Sequence, residues 1–414
     1  MSLPIDIATA NVQAQIDAAP DCSTVRVTER ILGRLVIEGR RKLTLMPVET
    51  IGECYLQELL IKNSKDCVAE KFTMTANKDP LKPVGLQIVW DGGPGHNALN
   101  NVIRRFEFKQ YQYGAAVGAL PDVGPPGNQW STAYNRFEDC VFENCGTGLL
   151  INSANAQGTV TQDCVFIGNG TAVHNKLGQY LDLRSTFLVN TVCDVHISDA
   201  VLPTRMDGSY TEQSARFMLI DGPTLSGWPT TLTACSIVGS GSPFTKAGET
   251  APWAAGRHFA IVNQGAQLLL QGCVVGITNT PLYIAVGGGQ TSLCDVTGSQ
   301  FFTEGQEFPI IGLNGTMTVN GQCLVRDPAQ LQYPKPLTRH SLVNAQVNVI
   351  STPDNPDQFR STRFRKGPWA AGDDSGDFVS EVREDGETML VYDARTTGIA
   401  QRTLLGLLSS PPIV

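Results

Sequence analysis

Histidine and closely spaced metal donors are scarce in this chain: there are five histidines in 414 residues, with no His-x-His and no Cys-x-x-Cys spacing. No metal site and no cofactor is assigned from such a pattern. Long apolar runs are missing as well. No segment is long and apolar enough to cross a bilayer, and no basic region followed by an apolar stretch opens the chain. It reads as synthesised in the cytoplasm without a signal peptide and without membrane insertion. Basic charge is in deficit, with 31 Lys and Arg against 39 Asp and Glu for a net −8. Neutralising a phosphate backbone needs a cationic face, so nucleic acid is not an expected partner. The basic cluster at 360–366 reads as a solvated linker, and Gly287-Gly-Gly289 lacks the Lys and helix context of a phosphate loop.

What is present is a repeat. Phe137-Glu-Asp-Cys-Val-Phe142, Val160-Thr-Gln-Asp-Cys-Val-Phe166 and Leu181-Asp-Leu-Arg-Ser-Thr-Phe187 bring a phenylalanine round at intervals of 24 and 21 residues. Such periods belong to solenoids, each turn one coil of parallel strands. A small residue (Cys140, Cys164, Ser185) stands two places before each Phe, hence on the same face of its strand, so stacking coils align both inside. Polar corners rich in Gly and Asn follow, as in Glu143-Asn-Cys-Gly-Thr-Gly148. Leu232-Thr-Ala-Cys235 and Leu270-Gln-Gly-Cys273 continue the series, Met317 to Cys323 is a weaker copy, and Asn101 to Phe108 and Leu59 to Asn63 precede it. The cysteines number 11, an odd count, and fall mostly at inward positions. They read as a reduced core stack, with Cys140, Cys164, Cys235 and Cys273 as buried free thiols.

This pattern resembles the right-handed parallel β-helix proteins, the pectate-lyase-like superfamily that also includes phage tailspikes. The opening Asn11-Val-Gln-Ala-Gln-Ile-Asp-Ala-Ala-Pro20 followed by Ser23-Thr-Val-Arg-Val27 is similar to that family's capping helix and first strand. Val12 and Ile16 share a helical face, Pro20 stops the helix, and Val25 and Val27 alternate inward. The resemblance covers about residues 5–325. It implies an all-β fold, a right-handed single-stranded parallel β-helix with an N-terminal capping helix, over 1–330. A Pro-rich and basic connector is expected at 331–375, and a small C-terminal β element at 376–414, where Phe378 to Val382 and Thr388 to Tyr392 flank a Gly turn. The apolar tail (Leu404, Leu405, Leu407, Leu408, Ile413, Val414) needs a surface to bury against, which makes oligomerisation, as a homotrimer, the expectation for this element.

Several constellations are candidates for chemistry. Asp139 and Asp163 each precede the repeat cysteine, and equivalent positions on coils about 4.8 Å apart would bring two carboxyls near the roughly 5 Å separation of a retaining glycosidase. Arg184 is read as the next member of that ladder, which then also fits a plain surface charge ladder. Glu143, Asp182, Arg184 and Asp194 are candidates to bind substrate beside it. Asp91 and His96, within Trp90-Asp-Gly-Gly-Pro-Gly-His96, are candidates for base and acid. The segment distantly resembles the Trp-x-Asp-His stretch of pectate lyases, but no His directly follows Asp91. The paired-aspartate and Gly-His-Gly motifs of polygalacturonases and the Asp-Pro-His-Glu motif of alginate epimerases are not found. His174 and His196, 22 apart, fall about one coil apart, with Asp194 or Asp199 needed to complete any metal site.

Two functions stay open. One is a phage virion component of tailspike, fibre or capsid-decoration type, located in the virion, with virion proteins or a cell-surface polysaccharide as partners. The other is a polysaccharide lyase or glycosidase using Asp139 and Asp163, or Asp91 and His96.

Overall fold

The computed structural model describes residues 3–76, 83–92, 97–120, 132–198, 203–214, 216–220 and 229–239, and beyond these separate strands between 258 and 408. A helix, α1 (Leu3–Ala18), leads into a parallel β-helix whose strands stack on three faces, one long strand covering the second and third faces in each of the first coils. One coil shows the plan: Arg136–Glu138 on the first face, Val141–Glu143 on the second, Thr147–Asn152 on the third. The next coil repeats it with Gln157–Gln162, Val165–Ile167 and Thr171–Asn175, each pairing in parallel with its predecessor. Long-range pairing between coils is what lets single rungs of only three residues persist.

The capping helix buries Val12 and Ile16, as their spacing predicts. Its polar side chains do a second job. Gln13 bonds the backbone of Val36 in both directions at 2.8 Å, and the Gly33 N–H donates to Thr9 Oγ1 at 2.7 Å. The free edge of the first long strand, Ile31–Glu38, is thus partly satisfied by helix side chains and closed to a foreign strand.

Register corrects the repeat in one place. Phe142 pairs with Phe166, but Phe166 pairs with Leu188 and Val165 with Phe187. The inward residue of the third coil is Leu188, fully buried, while Phe187 faces out and stacks on Tyr210 at 5.5 Å. In a strand a one-residue slip exchanges inside for outside, and here the phrase was one residue out of step. The small inward residue of that coil is therefore Thr186, not Ser185.

With register settled, the corner between the first and second faces becomes regular. Its inward row runs Phe72, Phe106, Cys140, Cys164, Thr186, Ser209, Cys235, Cys273, all buried. The four cysteines are free thiols. The residue just before each, Lys71, Arg105, Asp139, Asp163, Ser185, Gly208, Ala234 and Gly272, turns the chain with φ between 46 and 62°. Left-handed backbone suits Gly, Asn and Asp best, which gives Asp139 and Asp163 a conformational reason to stand there.

Beyond the coils, Val347–Ser351 pairs antiparallel with Gly315–Asn320, a strand inside the stretch read as a connector. The C-terminal hairpin is present and gains a third strand. Asp377–Val382, Thr388–Thr396 and Ile399–Leu408 form an antiparallel sheet of their own, the last strand carrying Leu404, Leu405, Leu407 and Leu408.

Candidate functional site

Asp139 and Asp163 are exposed at the corner between the first and second faces, on consecutive coils: the Asp139 N–H donates to the Gln162 carbonyl at 3.0 Å and the Asp163 N–H to the Arg184 carbonyl at 3.1 Å. Register pairs Arg184 with Gln162, so the residue after Asp163 in this row is Ser185, and Arg184 belongs to the neighbouring row with Glu138 and Asp207. The ladder Asp-Asp-Arg read from the sequence is thus corrected to Asp-Asp-Ser.

The remaining carboxylates are engaged in structure. Asp182, on the outer side of the first face, is nonetheless buried under Arg184, whose Nε donates to Oδ2 at 2.9 Å. Glu143 lies 3.7 Å from the Lys109 ammonium on the second face. Asp91 accepts from Asn63 Nδ2 at 2.8 Å and Lys62 Nζ at 2.7 Å, and Lys62 also reaches Glu38 at 2.9 Å, so the ammonium is held above its usual range by Asp91 first and Glu38 second. That bracket ties three coils together. His96, its proposed partner, lies outside the described residues.

Asp194 is a clear correction to a groove role. It is fully buried inside the coil, accepting hydrogen bonds from Asn190 Nδ2 at 2.8 Å, Ser214 Oγ at 2.7 Å and Thr211 Oγ1 at 2.5 Å. Burial pushes its carboxyl up to about 7, against these three donors. Burial holds two of the inward thiols in their protonated form, raising Cys145 to about 11 and Cys193 to about 12.

His174 and His196 do stack across adjacent coils, ring centroids 4.2 Å apart, and Ser198 Oγ lies 2.8 and 3.3 Å from their Nε2 atoms. Asp194 is held inside the coil, and Asp199 lies outside the described residues. Among the described residues no group of three His, Cys, Asp or Glu side chains is placed to hold a metal ion, and no helix is long and apolar enough to cross a membrane.

Of the residues lining the site that the structure does assemble, the sequence singled out only Arg184 as a candidate. On the outer side of the first face lies a groove of about 480 Å³ lined by Val102, Tyr134, Arg136, Gly158, Val160 and Arg184, among others. It exists because one coil is low. Gly158 and Val160 occupy the outward positions where the coil before carries Tyr134 and Arg136 and the coil after carries Tyr180 and Asp182. Gly158 is held left-handed at φ 62°, and a Cβ there would meet the Tyr134 ring at 2.8 Å, so glycine keeps the floor open. The Tyr134 ring, 54% exposed, forms one wall. Beyond Asp182, Arg205 lies over the Tyr180 ring at 5.2 Å.

Charge in this groove is layered. The guanidinium-bearing side chains of Arg136 and Arg184 are 45% and 51% exposed, while the carboxylates they pair with, Glu138 and Asp182, are 17% and 6% exposed. Glu138 is also taken by Arg104 at 2.8 Å. Solvent therefore meets cations above neutralising anions. The available signal was a lone Gly158 between tyrosines at rung spacing, but spacing alone does not say which row faces out.

No family model matches the chain, and no curated protein matches it. Among solved structures it is similar to the Acinetobacter phage vb_AbaP_AS12 gp42 tailspike, at 11% identity and a TM-score of 0.39 over 92% of this chain and 73% of that one. It is also similar to ORF18 of Geobacillus virus E2, at 12% identity and a TM-score of 0.32 over 98% of this chain and 76% of that one. Likeness at this level transfers no site and no activity.

Proposed function

We propose that this chain is a parallel β-helix component of a phage virion, of tailspike, fibre or capsid-decoration type, that contacts a surface through its flank without cutting it. One observation carries the non-catalytic part. Of the candidate carboxylates within the described residues, Asp182, Asp91, Glu143 and Asp194 have structural partners, and Asp139 and Asp163 stand exposed at a left-handed corner, whereas the groove offers guanidinium and phenol groups to solvent. The reading includes a homotrimer, with virion proteins or a cell-surface polysaccharide as partners. The Leu-rich last strand of the C-terminal sheet supports association there.

A second reading, a polysaccharide lyase or glycosidase, keeps one observation in its favour: Asp139 and Asp163 do sit on consecutive coils. Native mass measurement and a panel of bacterial surface and plant polysaccharides separate the two, with reducing ends and unsaturated-uronate absorbance as readouts. A trimer that binds without turnover is expected. A monomer with turnover that Asp139→Asn or Asp163→Asn removes would replace this reading with the second.

A further inference from the structure

The groove on the first face has a chemistry more specific than surface contact. Its two walls differ. Tyr134 stands on the early side with its ring exposed, and Arg184 lines the late side. Between them the floor is Gly158 and Val160, flat and weakly polar, the kind of surface on which the C–H face of a ring can lie. Guanidinium groups border that floor on both sides, Arg136 from the coil before and Arg184 from the coil after. Among the described residues Arg205, one coil further, forms no ion pair at all; its recorded contact is the Tyr180 ring.

The exposed carboxylates gather at one end. Asp163 is on the same coil as Gly158 but five residues along, roughly 16 Å at the rise of an extended strand. Asp207 pairs in register with Arg184 at that end, whereas Arg136 has Val102 and Val160 as its register partners. A chain of net charge −8 thus presents a local cationic fork beside an aromatic wall. A guanidinium recognises carboxylate in a planar, directional way, which an ammonium does not, and the Tyr134 ring in the same groove selects a ligand with an apolar face. A neutral sugar would use the ring and leave the fork empty. A small inorganic anion would use the fork and leave the ring empty.

We propose that this groove binds a carboxylate-bearing sugar unit of an acidic polysaccharide, the sugar ring against Tyr134 and the carboxylate between Arg136 and Arg184. The inference rests on the surface-contact reading above and names its ligand class. Arg136 is the cleaner handle, because Glu138 keeps Arg104 when Arg136 is replaced. Arg184 covers a buried carboxylate, so it is tested as the pair Asp182→Asn with Arg184→Gln, which leaves no stranded charge.

The test is retention of the full chain on immobilised hyaluronan and alginate, with dextran and a carboxyl-reduced hyaluronan as uncharged controls. Melting curves verify that each variant is folded. Retention on at least one acidic polymer is expected, falling as salt is raised. Arg136→Gln and the Asp182→Asn/Arg184→Gln pair should each weaken it tenfold or more, and Tyr134→Ala several-fold, with no retention on either control. Equal retention on dextran or on carboxyl-reduced hyaluronan, or parental retention by folded Arg136→Gln and by the folded pair, would overturn the proposal. So would a wild-type chain that ignores both acidic polymers. If that chain still adsorbs to bacterial cells at the level of its Arg136→Gln variant, surface contact survives and the groove assignment alone fails.

Discussion

Around residues 108–166 the inward row of the second face is aromatic: Phe108, Phe142 and Phe166 stack with centroids 4.7 and 4.5 Å apart, the last pair within 2° of parallel. In the two coils that follow, the same row holds Leu188 and then Thr211. The third face answers residue by residue. Opposite the rings stand Gly114 and Gly148, where a Cβ would come within 2.9 Å of the Phe142 ring and 2.7 Å of the Phe166 ring. One coil later the position is Ala172, and the next is Asp194. Where flat rings fill the corner nothing larger than hydrogen fits. Where they stop, the vacated interior admits a carboxylate, provided that Asn190, Thr211 and Ser214 turn donors toward it. The contrast shows that a solenoid interior is not uniform: each coil's side chains are set by the volume its two neighbours leave.

The largest effect is expected in the aromatic stretch. Phe166→Ala removes the ring that stacks on Phe142 and should cost about 3–5 kcal/mol by chemical denaturation, as for other buried aromatic truncations. A cost below about 1 kcal/mol would mean that the stack is not what fills this corner.

In the polar stretch the expected effect depends on pH. Asp194 titrates near 3.8 when free and is pushed up to about 7 by burial. With the folded carboxyl raised above the unfolded one, its protonated form is favoured inside. Stability from this group is full below about pH 4, falls as pH rises toward 7, and is flat above that, a loss on the order of 4 kcal/mol. Asp194→Asn should remove this slope, leaving a variant whose stability relative to the parent improves between pH 4 and 8. Parallel curves for the two proteins would refute the assignment.

Gly148→Ala probes the boundary. The new methyl meets the Phe166 ring and the Ala172 carbonyl oxygen, both at 2.7 Å, and should cost about 1–3 kcal/mol. Phe166→Leu should relieve part of that penalty in a double-mutant cycle, because Leu is what the chain itself places one coil later. Strict additivity would uncouple the two rows. The smallest effect is predicted at the outer corner: Asp139→Asn and Asp163→Asn keep a residue tolerant of left-handed backbone and should shift stability by about 0–1 kcal/mol.

The fold was legible because a repeat is a one-dimensional signal. Phe142 and Phe166, Cys140 and Cys164, and Val12 with Ile16 are all placed where their spacing predicts, since burial on a strand or helix face is local and periodic. Legibility ended where coil length changed. Between Phe166 and Leu188 the turn is two residues shorter than between Phe142 and Phe166, and nothing in the phrase Leu181 to Phe187 says whether Thr186 or Ser185 is the inward member.

The candidate site was less legible still. Charged residues announce themselves in a sequence, so Asp139, Asp163, Asp182 and Asp194 were all singled out, yet charge does not reveal exposure. Only the stacked coils decide that Asp194 lies inside, that Asp182 is covered by Arg184, and that Tyr134, Arg136, Gly158 and Val160 share one groove. By itself the sequence determined a coil, its cap and its core rows, because hydrophobic periodicity acts within a few residues. Tertiary structure decided which residues of neighbouring coils meet, because register between strands some 22–24 residues apart is fixed by packing across coils and by no local pattern.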